Sequence, residues 1–162
     1  MRVFTVLALA LLLAVPAFAA KGDDLAGVWV TEDGKSRVEI TEIDGKYNGK
    51  IVWLKEPSYP AGDEEAGKPK HDRFNPDPKL KDKPIIGLQV LKGFKADSDT
   101  RWSGGTIYDP ENGKTYSCRI TLEGDGTLYV RGFIGISLIG RTTEWTRYVP
   151  ESEEAAAKPA LE

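Results

Sequence analysis

The stretch Trp102-Ser103-Gly104-Gly105-Thr106-Ile107-Tyr108-Asp109-Pro110-Glu111-Asn112-Gly113-Lys114-Thr115-Tyr116 reads as two strands joined by a tight turn. Proline presets φ where Asp109-Pro110 opens the turn, and Asn112-Gly113 closes it because both residue types tolerate positive φ. Beyond the turn, Tyr116, Cys118, Ile120 and Leu122 alternate with Ser117, Arg119 and Thr121, the period of two of a half-buried strand. The same grammar recurs on both sides. Residues 27–31 form a first strand and residues 37–43 a second, with Val38 and Ile40 inward and Asp33-Gly34 turning between them. After Asp44-Gly45, residues 46–54 make a third strand whose Tyr47, Gly49, Ile51 and Trp53 share a face, Gly49 marking a bulge or sharp bend. Residues 85–94 are the fourth strand and residues 96–100 a polar turn; residues 127–133 and 141–148 are the seventh and eighth strands. Eight antiparallel strands escape exposed edges most simply by closing into one up-and-down β-barrel, an all-β fold with a two-sheet sandwich as the structural alternative.

The N-terminus has a different character. Arg2 supplies a short positive region, Val3 to Val15 is an almost unbroken apolar run, and Ala17-Phe18-Ala19 is a small-x-small cleavage site. The run is shorter than the ~20 residues a bilayer span needs, and no basic stop-transfer cluster follows it. Residues 1–19 are therefore expected to be a cleaved secretory signal, with cleavage near Ala19 and Ala20. No cysteine sits at the junction to take a lipid, and no later segment is long and apolar enough to span a membrane. The expectation is a periplasmic or secreted protein with a barrel domain over residues 20–150. Residues 151–162, acidic and alanine-rich, are expected to be a flexible tail.

Composition removes several functions. A net charge of −3, with no basic face evident, gives no electrostatic footprint for nucleic acid. One cysteine cannot make an internal disulfide, and Cys118 falls on the apolar face of its strand, where an inert thiol is expected. The one histidine, His71, has no nucleophile motif to serve, and Glu39 and Glu42 lie on opposite faces of one strand. His71-Asp72 with Asp77, and Asp109 with Glu111 and Asn112, lack the spacing of a metal site; the second group is accounted for as turn chemistry. Neither enzyme chemistry nor a metal or cofactor is expected.

Two connections break the rhythm. Residues 55–84 carry six of the ten prolines with seven basic and seven acidic residues, and read as a long surface excursion without regular structure, Phe74-Asn75-Pro76-Asp77 holding one end to the body. Residues 133–140, Phe-Ile-Gly-Ile-Ser-Leu-Ile-Gly, are apolar where a hairpin connection is normally polar.

Gly27-Val28-Trp29 near the start, and an arginine late in the last strand, resemble the lipocalin and wider calycin pattern. That pattern implies an arginine packed over the tryptophan at the barrel base, with Arg147 and Arg141 both candidates. Four segments together resemble DUF2147, a family of exported bacterial proteins. They are Leu25-Ala26-Gly27-Val28-Trp29, Asn75-Pro76 with Lys83-Pro84-Ile85-Ile86-Gly87, the opening hairpin, and Gly132-Phe133 with Trp145-Thr146-Arg147. The resemblance implies a lipocalin-like barrel and supplies no activity.

Two roles follow. In one, the barrel is hollow and binds a small apolar or lipidic ligand through Trp53, Gln89, Trp102, Tyr116, Phe133, Ile136 and Leu138. In the other it is filled, and the apolar loop binds an envelope protein or the membrane surface. Oligomeric state is not legible from the sequence.

Overall fold

A computed structural model describes residues 24–150; the expected signal segment and tail lie outside the described residues. Eight strands run in chain order: β1 (Gly27–Val30), β2 (Ser36–Ile43), β3 (Lys46–Leu54), β4 (Gln89–Ser98), β5 (Arg101–Asp109), β6 (Lys114–Leu122), β7 (Leu128–Phe133) and β8 (Gly140–Arg147). Each is antiparallel to its neighbours in sequence, and β8 returns to pair with β1. The result is a closed up-and-down barrel, not a sandwich. No helix among the described residues is long and apolar enough to cross a membrane.

Turn chemistry sets the hairpins. Asp44 and Gly45 both take positive φ, 53° and 72°, the mirror-image turn that matches strand twist. In the turn between β5 and β6, residues 110–113, only Gly113 is left-handed, with φ 69°. Asn112 acts there through its side chain, donating to Asp109 Oδ2 at 2.7 Å and accepting from the Lys114 amide at 2.9 Å.

Closure is made by one residue pair. Trp29 and Arg147 face each other across β1 and β8, and the guanidinium carbon lies 4.4 Å from the centre of the indole system. Trp29 is fully buried, and its Nε1–H donates to the Leu25 carbonyl at 2.9 Å. Arg147 also donates from Nη1 to the Ala26 carbonyl at 3.0 Å and from Nη2 to the Asp24 carbonyl. Gly27 has φ 130°, and a Cβ there would stand 2.5 Å from Arg147 Nη1, so the arginine needs glycine at this position. Arg141 is elsewhere, at the other end of β8, exposed and 3.5 Å from Glu32.

The end closed by Trp29 is solid. Trp29, Phe94, Trp102, Ile120 and Leu128 are all essentially inaccessible, and the Tyr47 and Trp102 rings meet edge to face at 6.0 Å. Gly105 makes room for Phe94, whose ring would lie 2.5 Å from a Cβ there. Cys118 is buried in the same core, and burial pushes its thiol up to about 12.

Register shifts redirect several side chains. Arg37 pairs with Trp53 while Val38 pairs with Ile51, so Val52 is an extra residue in β3. One inserted residue moves everything beyond it to the other face. Trp53 therefore leaves the inward face it was expected to share with Ile51 and lies outside, with Arg37 4.3 Å above its ring. β4 also starts later than expected, because residues 85–88 form a turn, closed by Leu88 N–H on the Ile85 carbonyl at 3.1 Å with Gly87 at φ 93°. It then continues through Ala96 to Ser98, which were expected to be turn.

Arg147→Lys should lower the unfolding free energy by about 1–3 kcal/mol, since the ammonium cannot fork across two carbonyls while covering the indole. Arg141→Lys should change it by less than about 0.5 kcal/mol. Urea midpoints of the two variants check this.

Candidate functional site

The opposite end of the barrel is hollow. A cavity of about 920 Å³ opens there, its floor and walls formed by Val38, Ile51, Val90, Ile107, Val130 and Trp145. Each comes from a different strand, β2, β3, β4, β5, β7 and β8, which is what alternation delivers when every strand points one face inward. The deep wall is apolar, while Glu32, Lys35, Glu56, Lys70, Arg73 and Arg141 make the rim charged. Thr143 Oγ1 receives a hydrogen bond from Trp145 Nε1 at 3.1 Å and itself donates to the Val130 carbonyl.

Residues 55–88 form one side of the mouth, and turns and short bridges run through the excursion in which the sequence showed no regular pattern. Two short ladders build this strap. Tyr59 N–H bonds to Lys68 O and Lys70 N–H to Pro57 O, while Asp72 N–H bonds to Lys83 O and Ile85 N–H to Lys70 O. A single 3-10 turn, Pro78–Leu80, is capped by Asp77, which accepts from the Lys79 amide at 3.0 Å. Pairing at Ser58 with Pro69 and His71 with Pro84 is too short to leave an alternation in the sequence.

The strap is pinned to the barrel by a buried acid. Asp72 is the buried charged residue among the described residues, and its carboxylate accepts from Tyr108 Oη at 2.7 Å and from Asn75 Nδ2 at 2.6 Å. Burial, and then the Asp72 carboxylate, hold the Tyr108 phenol in its protonated form. Next to this pin the Phe74 backbone settles on Gly113; a Cβ on Gly113 would collide with the Phe74 carbonyl.

His71 braces the strap from inside. Its Nδ1 lies 2.7 Å from the Lys81 carbonyl and its Nε2 2.7 Å from Glu65 Oε2. The carbonyl only accepts, and so does Glu65 when ionised, so this setting favours the imidazolium, in which both ring nitrogens donate. The Lys81 carbonyl first and Glu65 second raise its pKa above 6.5; the histidine in turn lowers Glu65 below 4.5. Arg73 completes the layer with both Asp63 oxygens at 3.0 Å and the Tyr59 ring 4.4 Å away.

The structure scatters the side chains expected to bind ligand. Tyr116 and Phe133 line the cavity. Trp102 sits in the solid base, its indole Nε1 without a hydrogen-bond partner. Gln89 lies outside the barrel, bonded to Asn48 Oδ1 at 3.2 Å, because Val90 is an extra residue between the Gly49–Leu91 and Lys50–Gln89 pairs. Trp53 is outside for the reason already given. Ile136 and Leu138 project from the β7–β8 loop above the mouth, 60% and 84% exposed, so this segment does not bury its side chains as strand extensions. Val38, Ile51, Val90, Ile107 and Trp145 were missed as lining residues. The inward phase of Val38 and Ile51 was legible; that of Val90 and Ile107 was hidden by register shifts in β4 and β5, and the height of the solid packing had no local signal.

The match between the chain and a family spans residues 27–147. This protein belongs to the DUF2147 family. The family is described as an uncharacterized protein conserved in bacteria. Among solved structures, this DUF2147 chain resembles protein HP1028 from Helicobacter pylori, described as belonging to the lipocalin family. Identity is 25%, the TM-score is 0.68, and the likeness covers 85% of this chain and 92% of that one. No curated protein matches it. The DUF2147 barrel described here is thus lipocalin-like in fold.

Tyr108→Phe should cost about 1–3 kcal/mol, because it leaves the buried Asp72 carboxylate short of a donor. Faster amide exchange in residues 70–85, with β5 to β7 unchanged, is the expected pattern. The pH dependence has two limits. Glu65, with its lowered pKa, contributes fully above about 4.5, and this contribution fades as pH falls through its folded value. His71, with its raised pKa, contributes fully below about 6.5, and this contribution is lost as pH rises through its folded value. Strap protection, corrected for intrinsic exchange, should therefore be greatest between those values, and His71→Gln should remove the alkaline decline.

Proposed function

We propose that this protein is exported by cleavage of residues 1–19 and acts, without catalysis, as a carrier of one small, largely apolar ligand held in the open end of the barrel. The observation that carries this reading is the cup of about 920 Å³ above a solid base, apolar in its depth and charged around its mouth. Its size lies within the ~300–1,000 Å³ range of small-molecule sites, and an apolar depth with polar groups placed around it is what such sites share. Transfer of apolar surface from water to that wall would contribute about 25 cal/mol per Å² before the costs of association. The lipocalin-family description of HP1028 supports a binding role by analogy of fold.

The groups at the mouth favour binding over reaction chemistry. Both His71 nitrogens are committed to the strap, Asp72 is committed to Tyr108 and Asn75, and the Cys118 thiol is buried in the base. Ile107, opposite Gly132 in the wall, is the position from which a larger side chain would fill the cup.

Native mass spectrometry of protein purified gently from its own host should show a stoichiometric apolar passenger that leaves on unfolding. Ile107→Trp should weaken uptake of an apolar fluorescent probe by at least about tenfold while leaving the barrel folded. A passenger-free mass, with no probe uptake by the wild type, would reject the carrier reading.

A further inference from the structure

The β7–β8 loop puts Ile134, Ile136, Leu138 and Ile139 into solvent, each 60–84% exposed. Connections at barrel ends are ordinarily polar, and so concentrated an aliphatic surface marks a contact. The loop is held in shape. Ile134 N–H donates to the Ile139 carbonyl and Ile139 N–H to the Ile136 carbonyl, both at 3.1 Å. From β7, Arg131 donates Nε and Nη2 to the Ser137 carbonyl at 3.0 and 2.6 Å. Three loop carbonyls thus have donors within the protein, so the tip can leave water without stripping them of hydrogen bonds.

Behind the tip lies positive charge. Arg119 and Arg131 stand directly opposite each other across β6 and β7. Cys118, Ile120 and Val130 occupy the inward face, so both arginines face out. Like charges in register weaken a sheet; Arg131 offsets part of that cost by also donating Nη1 to Thr142 Oγ1 at 2.9 Å, while Arg119 stands exposed where an anion can meet it. Arg131 is three residues below Ile134, about 10 Å along the strand. An interfacial segment buries its apolar side ~5–10 Å into the headgroup and acyl boundary. Aliphatic side chains first, with cations one headgroup depth behind, complement the layers of an anionic bilayer surface.

We propose that the β7–β8 loop docks the barrel on an anionic phospholipid bilayer. Ile136 and Leu138 enter the acyl boundary while Arg119 and Arg131 meet headgroup phosphates. Ile134 and Ile139 also line the cavity, so the apolar surface is continuous from the docked tip into the cup. Delivery of ligand along that path rests on the carrier reading; docking itself does not.

The chain from Ala20 onward contains the whole closed barrel and lacks the apolar leader, so it is the form to sediment with vesicles of phosphatidylcholine, with and without phosphatidylglycerol. The wild type should sediment with the phosphatidylglycerol vesicles. The double variant Ile136→Asp with Leu138→Asp, altered only at exposed positions, should partition at least tenfold less with an unchanged thermal midpoint. Arg119→Gln should partition several-fold less at low salt and lose its deficit at high salt. A wild type that stays in the supernatant overturns the proposal and leaves the loop to a protein partner. A double variant that sediments like the wild type overturns it as well. Probe uptake without vesicles reads the cup independently. Uptake lost with sedimentation kept sinks the carrier reading alone, and uptake kept with sedimentation lost sinks the docking alone.

Discussion

Everything in this barrel depends on joining its first strand to its last. β1 is only four residues long and meets β8 through two register pairs, so backbone hydrogen bonds make a thin seam. The Trp29–Arg147 pair reinforces it. The guanidinium covers an indole that would otherwise be a weak point in the floor, and the same group ties down the carbonyls of Asp24 and Ala26 ahead of the strand. A cation over a buried aromatic face is worth about 0.5–2 kcal/mol, and the hydrogen bonds add to it. One side chain thus closes the sheet and orders the approach to it, and Gly27 is there because anything larger would displace that side chain.

Above that floor the barrel is filled in its lower half and hollow in its upper half. The division follows from residue size. Trp29, Trp102 and Phe94 crowd the base, and Gly105 yields room to the Phe94 ring. Toward the mouth the inward positions pass to Val38, Ile51, Val90, Ile107 and Gly132, which cannot span the lumen from opposite walls. An eight-stranded barrel is just wide enough for either outcome, so the choice between large and medium side chains at a few inward positions decides it.

The two structures at the mouth use opposite physics. The strap is a polar construction: a buried carboxylate, an imidazolium between two acceptors and an arginine on its acid hold residues that carry little apolar surface. The β7–β8 loop is apolar outside and hydrogen-bonded within. One is positioned to respond to pH, the other to an apolar surface, and both border the same cup.

The sequence by itself determined the number of strands, their antiparallel order and inward faces such as those of β2 and β6, because alternation and Asp-Gly turns are local and strong signals. It offered Arg147 and Arg141 alike for closure, and the structure chose Arg147. The sequence also marked the apolar loop as anomalous. Tertiary structure alone decided which expected lining residues face the cavity. Single inserted residues at Val52 and Val90 reverse the faces of Trp53 and Gln89, and a bulge is set by pairing across strands, not by the residues that bulge. It likewise decided that Trp102 belongs to the solid base and that residues 55–88 fold. Their order comes from contacts such as Tyr108 to Asp72, 36 residues apart, which no local pattern records.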